Sequence, residues 1–248
     1  MKMDRRRLIA GSAGFGLVAL ASSSSAQTAP APQESEAERR NREKLEDFAG
    51  LKRYAADNAT VKASGRPVDI VFMGDSITEG WVGKRPAFFT PGRIGRGISG
   101  QTTPQMVLRM MADVVALRPR FVHIMAATND IAGNTGPMTT AQSQDNFRMM
   151  VAIAKANRIK VLLASTPPAD GFPWRPGLAT VPRIRELNEW FPQFARAEGL
   201  TFVDYTPVLA DAKGAMKPGL AHDGVHPGPE GYALMESVLT PLLVARKA

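Results

Sequence analysis

Val68-Asp69-Ile70-Val71-Phe72-Met73-Gly74-Asp75-Ser76-Ile77-Thr78-Glu79-Gly80 runs a short apolar segment into a glycine-started turn that presents a serine. The apolar part, Val68 to Met73, lacks the polar alternation of a half-exposed strand, so it reads as a strand covered on both faces, as parallel sheets require. Phe121 to Ala126, Lys160 to Ser165 and Leu200 to Val203 have the same character, and Arg93 to Ile98 is a weaker fifth. Between them Thr103 to Leu117, Thr139 to Asn157 and Val181 to Glu198 read as helices, and Pro229 to Val244 closes the chain with a proline near a helix start. Strand and helix alternate, which gives an open α/β sheet with helices on both faces. Sites in such sheets lie at the carboxyl ends of the strands.

The residues after each strand therefore carry the functional reading. Ser76 follows the first strand where a helix begins, a place where glycine permits the tight turn and helix-start amides can stabilise an oxyanion. A lone Gly-Asp-Ser is equally an ordinary helix cap. The GxSxG elbow of α/β-hydrolases is absent, since position 78 is Thr. Asp223-Gly224-Val225-His226 precedes the last helix, and the separation of three lets the carboxylate hold one imidazole nitrogen while the other faces a serine. His222 competes as base but lacks that spacing, and His123 reads as a packed strand residue. Gly100, after the second strand, and Asn129, after the third, could each offer an N–H to a developing oxyanion. Gly95, Gly97 and Gly100 also fit GxGxxG, but a loop precedes them and no acidic residue stands where a dinucleotide site needs one.

Composition narrows the chemistry. The 248 residues contain no cysteine and three histidines, which removes disulfides, thiolate zinc sites and cysteine nucleophiles and leaves few candidate bases. No HExxH is present and no metal or cofactor is expected. Arg5-Arg6-Arg7-Leu8-Ile9, an apolar run to Ala21 and Ser24-Ser25-Ala26 read as an export signal over residues 1–26, resembling a twin-arginine signal, so a periplasmic or secreted location is expected with no stable membrane anchor after processing. Its removal takes away four basic residues and one acidic, leaving +5 of the formal +8. No basic stripe with interleaved aromatics appears, so nucleic acid is not an expected partner. Residues 27–33 read as a Pro/Ala/Gln linker. From Glu34 to about Ala56, Leu45, Phe48, Leu51 and Ala55 recur at helical spacing, which predicts one amphipathic helix lying on the domain.

With Gly74-Asp75-Ser76, Gly100, Asn129 and Asp223-x-x-His226 in that order, the chain resembles the SGNH hydrolases, also called the GDSL esterase family. The resemblance covers residues 68 to 243. It implies a flavodoxin-like three-layer α/β/α fold, placed here over 67–248, and the helical spacing described above makes 34–66 a helical extension before it. The resemblance also implies a serine esterase: Ser76 as nucleophile, His226 and Asp223 as base and orienter, and an oxyanion hole from the Ser76 N–H, Gly100 and Asn129. Ala127 stands where the family's GxND has glycine, and its methyl is expected to narrow the acyl site or shift Asn129.

The loop Pro167 to Gly177 follows the fourth strand, so Phe172 and Trp174 are expected to overhang the site as an apolar wall or a platform for a sugar ring. No long apolar lid is visible, which favours short acyl groups, acetyl on a carbohydrate, over lysophospholipid-type or aryl esters. A silent carbohydrate-binding protein on the same scaffold is the reading of another class. The expected partner is a small-molecule or glycan ester.

Overall fold

The computed structural model describes residues 34–244; the expected export signal (1–26) and linker (27–33) lie outside them. Five parallel strands, β1 Ile70–Gly74, β2 Arg93–Gly97, β3 Phe121–Met125, β4 Lys160–Ala164 and β5 Thr201–Val203, stand in the order β2-β1-β3-β4-β5. Helices α1 Glu36–Glu46, α2 Ala55–Ala63, α3 Ser76–Lys84, α4 Thr103–Arg109, α5 Thr128–Ala132, α6 Thr140–Ala156, α7 Thr180–Glu198, α8 Thr206–Leu209 and α9 Pro229–Val244 complete the described chain. This is the three-layer flavodoxin-like arrangement.

The apolar runs form strands because both faces of each are covered. Ile70, Val71, Phe72 and Met73 are inaccessible to solvent, as are Val122 and Ile124 beside them and Leu162 and Leu163 in β4. Phe72 meets Trp81 of α3 edge-to-face, and Trp81 in turn stacks on Phe88 and Tyr232. His123 is a packed strand residue as expected: it is fully buried, Nε2 lies 2.9 Å from the Tyr205 hydroxyl, and burial lowers its pKa to about 3. It remains a neutral ring at working pH.

The sheet changes direction at β1. The chain steps from β1 to β2 on one side and then crosses to β3 on the other, so β1 and β3 flank the point where a ligand crevice opens. Register aligns the strand ends: Gly74 pairs with both Gly97 and Met125. Close approach of α3 requires bare backbone there. A Cβ on Gly74 would stand 2.0 Å from Thr78 Oγ1 and 2.7 Å from the Met125 carbonyl, and one on Gly97 2.2 Å from the Glu79 nitrogen.

Two expectations are corrected. The single helix expected over 34–56 is two helices separated by turns. Asp47 ends α1 by accepting the Leu51 and Lys52 N–H groups, each at 2.8 Å, and Gly50 turns the chain at φ +70°. The expected packing stripe consequently fails to close: Leu45 is 85% exposed, and Phe48 and Leu51 are only half covered. The helix expected to run from Thr103 to Leu117 keeps α-geometry only to Arg109, then widens into a π-turn over Met110–Val114 and tightens into a 3-10 turn over Val115–Leu117.

Candidate active site

Asp75 is the first residue past β1 and caps α3, its Oδ1 accepting the Ile77 N–H at 2.9 Å. Ser76 thereby occupies the first helical position, at the carboxyl edge of the sheet. Its Oγ lies 2.8 Å from His226 Nε2, and His226 Nδ1 lies 2.7 Å from Asp223 Oδ2. The other Asp223 oxygen accepts the backbone N–H groups of Val225, at 3.0 Å, and His226, at 2.8 Å. Burial disfavours the Asp223 charge, but the His226 and Val225 donors and the imidazole outweigh it and hold the pKa at about 2. An ionised Asp223 can only accept, so it selects the tautomer with the proton on Nδ1. Nε2 is left with its lone pair toward the serine hydroxyl. His222 is exposed, and Ser76 meets His226 rather than it.

The segment carrying His226 is fastened to α3. Lys84 Nζ donates to the Pro227 carbonyl at 2.9 Å and the Tyr232 hydroxyl donates to the Ile77 carbonyl at 2.7 Å.

Gly100 and Asn129 sit on the turns after β2 and β3. Gly100, at φ +77°, is third in a turn closed by the Gln101 N–H on the Ile98 carbonyl at 3.2 Å, the conformation a type II turn asks of that position. Among the described residues no hydrogen bond uses the Gly100 or Ser76 N–H. Asn129 Nδ2 donates one hydrogen to the Gln101 carbonyl at 3.1 Å, and its second has no acceptor among the described residues. Its Oδ1 accepts from Asn134 Nδ2 at 2.8 Å, and the same Asn134 nitrogen reaches the Gly100 carbonyl at 3.2 Å. That fixes which way the Asn129 amide faces. Below it, buried Asp130 accepts the Thr103 N–H and the Ser143 hydroxyl, each at 2.7 Å, tying α5 to α4 and α6.

Ala127 adopts φ +88°, the left-handed region that favours glycine, and costs about 1–2 kcal/mol of backbone strain there. It is 1% exposed, so its methyl faces protein and does not narrow an open acyl site. The two aromatic residues of the 167–177 loop separate in role. Phe172 is buried and stacks at 5.1 Å under Trp174, which is 38% exposed and stands 5.8 Å from the His226 ring. Only the indole is placed to meet a ligand.

Several residues in the site were not singled out from sequence. Glu79 Oε2 accepts the Ser99 N–H at 2.9 Å and also its hydroxyl. Arg109 is fully buried, with Nη1 2.6 Å from Asp113 Oδ2 and Nε donating to Gln101 Oε1 at 2.7 Å. The available signal was Glu79 at three residues from Ser76, one helical turn along. Beyond Gly100 a cleft of about 800 Å³ opens toward α1, with Leu45, Phe48, Ile98, Gly100 and Asn134 in its lining.

Burial raises the Asp75 pKa to about 6, against the opposing pull of the Ile77 N–H and the His226 charge. Between roughly pH 4 and pH 6 the folded chain keeps a proton that the unfolded chain releases, so stability falls as pH rises through that window, by about 3 kcal/mol in all. Asp75→Asn removes this slope. The unfolding free energy of the variant minus that of the parent should therefore grow by about 3 kcal/mol from pH 4 to pH 8 in urea titrations. A constant difference would show that Asp75 does not titrate in that range.

Comparison with known proteins agrees with this architecture. The model of the GDSL-like lipase/acylhydrolase family matches residues 72–234. A candidate acylhydrolase of Bacteroides fragilis is 42% identical, covering 80% of this chain and 98% of its own, with a TM-score of 0.76. A GDSL-like lipase of Bacteroides thetaiotaomicron is 44% identical over the same shares, with a TM-score of 0.75. An acetyl xylan esterase shares the fold at 20% identity, covering 72% of this chain and all of its own, with a TM-score of 0.56. A search of curated proteins gave no match. With the family model spanning most of the sheet and two solved structures above 40% identity, the chain belongs to the GDSL-like lipase/acylhydrolase family, the SGNH hydrolases, and is a carboxylic ester hydrolase.

Proposed function

We propose that the enzyme removes short acyl groups, acetyl first, from a carbohydrate through an acyl-enzyme on Ser76. The observation that carries the mechanism is the continuous relay from Ser76 Oγ to His226 Nε2 at 2.8 Å and from Nδ1 to Asp223 at 2.7 Å. Ser76 attacks the ester carbonyl while His226 takes its proton, and His226 then returns that proton to the departing alkoxide. Water repeats the sequence on the acyl-enzyme, releasing the acid and restoring the serine. The N–H groups of Ser76 and Gly100 and the second amide hydrogen of Asn129 hold the oxyanion.

Because His226 protonates the leaving alcohol, the alcohol lies on the His226 side, where Trp174 stands 5.8 Å away. An exposed indole beside the departing oxygen suits a sugar ring. An acetyl xylan esterase has the same fold, which supports this reading. An export signal at residues 1–26 would bring the enzyme to extracytoplasmic glycans. A second reading, hydrolysis of longer acyl esters, draws on the cleft beyond Gly100 and its Leu45, Phe48 and Ile98 walls.

Acetate release from acetylated oligosaccharides, run beside matched acetyl and octanoyl alkyl esters, separates the two. Acetyl preference is expected. Trp174→Ala should raise KM for the acetylated oligosaccharide by about five-fold while altering a small alkyl acetate little, the size of one lost stacking contact. Faster octanoyl than acetyl hydrolysis would replace the carbohydrate reading with the second one.

A further inference from the structure

We propose that Gln101, gripped by the N-terminal strap of residues 47–58, is a positioning residue for the Asn129 amide and the Gly100 N–H; this rests on the oxyanion reading above. Gln101 is 5% exposed and its groups point in three directions. Its carbonyl accepts from Asn129 Nδ2, its N–H closes the Gly100 turn, and its side chain is held at both ends. Nε2 donates to the Ala49 carbonyl at 2.7 Å, and Oε1 accepts from buried Arg109 at 2.7 Å. A side chain fixed at both ends leaves its own backbone little room to rotate, so the two donors beside it hold one geometry.

The strap reaches the same turn at other points. The Tyr54 hydroxyl donates to the Gly97 carbonyl, and Gln105 Nε2 donates to the Phe48 carbonyl at 2.7 Å. Arg53 pairs at 3.0 Å with Glu79, whose other oxygen holds Ser99 immediately before Gly100. A Cβ on Gly50 would stand 2.9 Å from Gln101 Nε2, so strap backbone lies directly against this side chain. All of these strap residues precede the stretch matched by the family model, which begins at residue 72. The donor geometry of the hydrolase domain is thus completed from an extension outside that stretch.

The test uses the full chain carrying Gln101→Met or Tyr54→Phe, and Gln101→Met combined with Asn129→Ala. The turnover number is counted per active site by titration with a fluorophosphonate, so that misfolded molecules do not contribute. Gln101→Met is expected to lower this kcat about ten- to hundred-fold, as small misplacements of catalytic groups do. KM should stay within about two-fold. Tyr54→Phe should lower kcat by a smaller factor. On the Asn129→Ala background the further loss from Gln101→Met should be clearly smaller than on the parent, because the share that runs through Asn129 is already gone and only the Gly100 N–H share remains. A merely structural role would lower the titrated fraction or the melting temperature, and any kcat effect would be equal on both backgrounds; that result overturns the proposal. Where Gln101→Met does not fold, Tyr54→Phe with parental kcat per site overturns it. Asn129→Ala at the parental rate would instead sink the oxyanion reading itself.

Discussion

Ser76→Ala is expected to lower kcat/KM by about 10⁴- to 10⁶-fold, the cost seen when a nucleophile acting as part of a coupled unit is removed. Among the described residues the Ser76 side chain has one hydrogen-bond partner, His226 Nε2. Its loss strands no buried donor, and the helix cap is supplied by Asp75 rather than by the serine. Stability should therefore stay within about 0.5 kcal/mol of the parent, which makes lost activity readable as lost chemistry. The measurement is hydrolysis of an activated acetyl ester, with intact-protein mass after fluorophosphonate treatment. The parent should gain one adduct and the variant none. A variant rate within about ten-fold of the parent would remove Ser76 from the mechanism.

Asp223→Asn is the second large effect, a fall of about 10³- to 10⁴-fold concentrated in kcat. The substitution is nearly isosteric. An asparagine oxygen can still accept the Val225 and His226 N–H groups now taken by Oδ1, so the turn should survive. The amide nitrogen would then face His226 Nδ1 and donate to it. That moves the ring proton to Nε2, where the serine needs an acceptor. The electrostatic loss adds to this, since no carboxylate remains to stabilise the imidazolium formed during attack. With Asp223 titrating near pH 2, the parent should show no acid limb from this residue in the neutral range. Retention of kcat within about ten-fold would show that Asp223 shapes the turn without orienting the base.

The fold was legible where burial writes itself into composition. Ile70 to Met73 and Leu162 to Leu163 are covered on both faces, and an unbroken apolar run is the trace such strands leave. The site was legible through the resemblance: Gly74-Asp75-Ser76, Gly100, Asn129 and Asp223-x-x-His226 in the family's order named its residues, while sheet topology accounts for Ser76, Gly100 and Asn129, which follow strands, but not for Asp223 and His226, which lie just before the last helix. What stayed hidden depends on context. Asp47 and Gly50 look harmless within an amphipathic stripe, yet one caps and the other turns the chain, so two helices replace one. Phe172 and Trp174 are alike in type and share a loop, and only packing shows that one lies beneath the other. Gln101 has no signature at all. Its place follows from Arg109 and Ala49, which approach it from eight residues after it in the chain and fifty-two before it.

The serine and its base are separated by 150 positions in the chain. A ribosome that has delivered everything through β5 has made the whole sheet and the proposed nucleophile, but not the imidazole proposed to deprotonate it. On the proposed mechanism ester cleavage belongs to the finished polypeptide, switched on when the Lys84 and Tyr232 contacts dock the tail against α3. Turnover in a refolding experiment accordingly reports the closing event of folding, and an unfinished or trimmed chain stays chemically harmless to its surroundings.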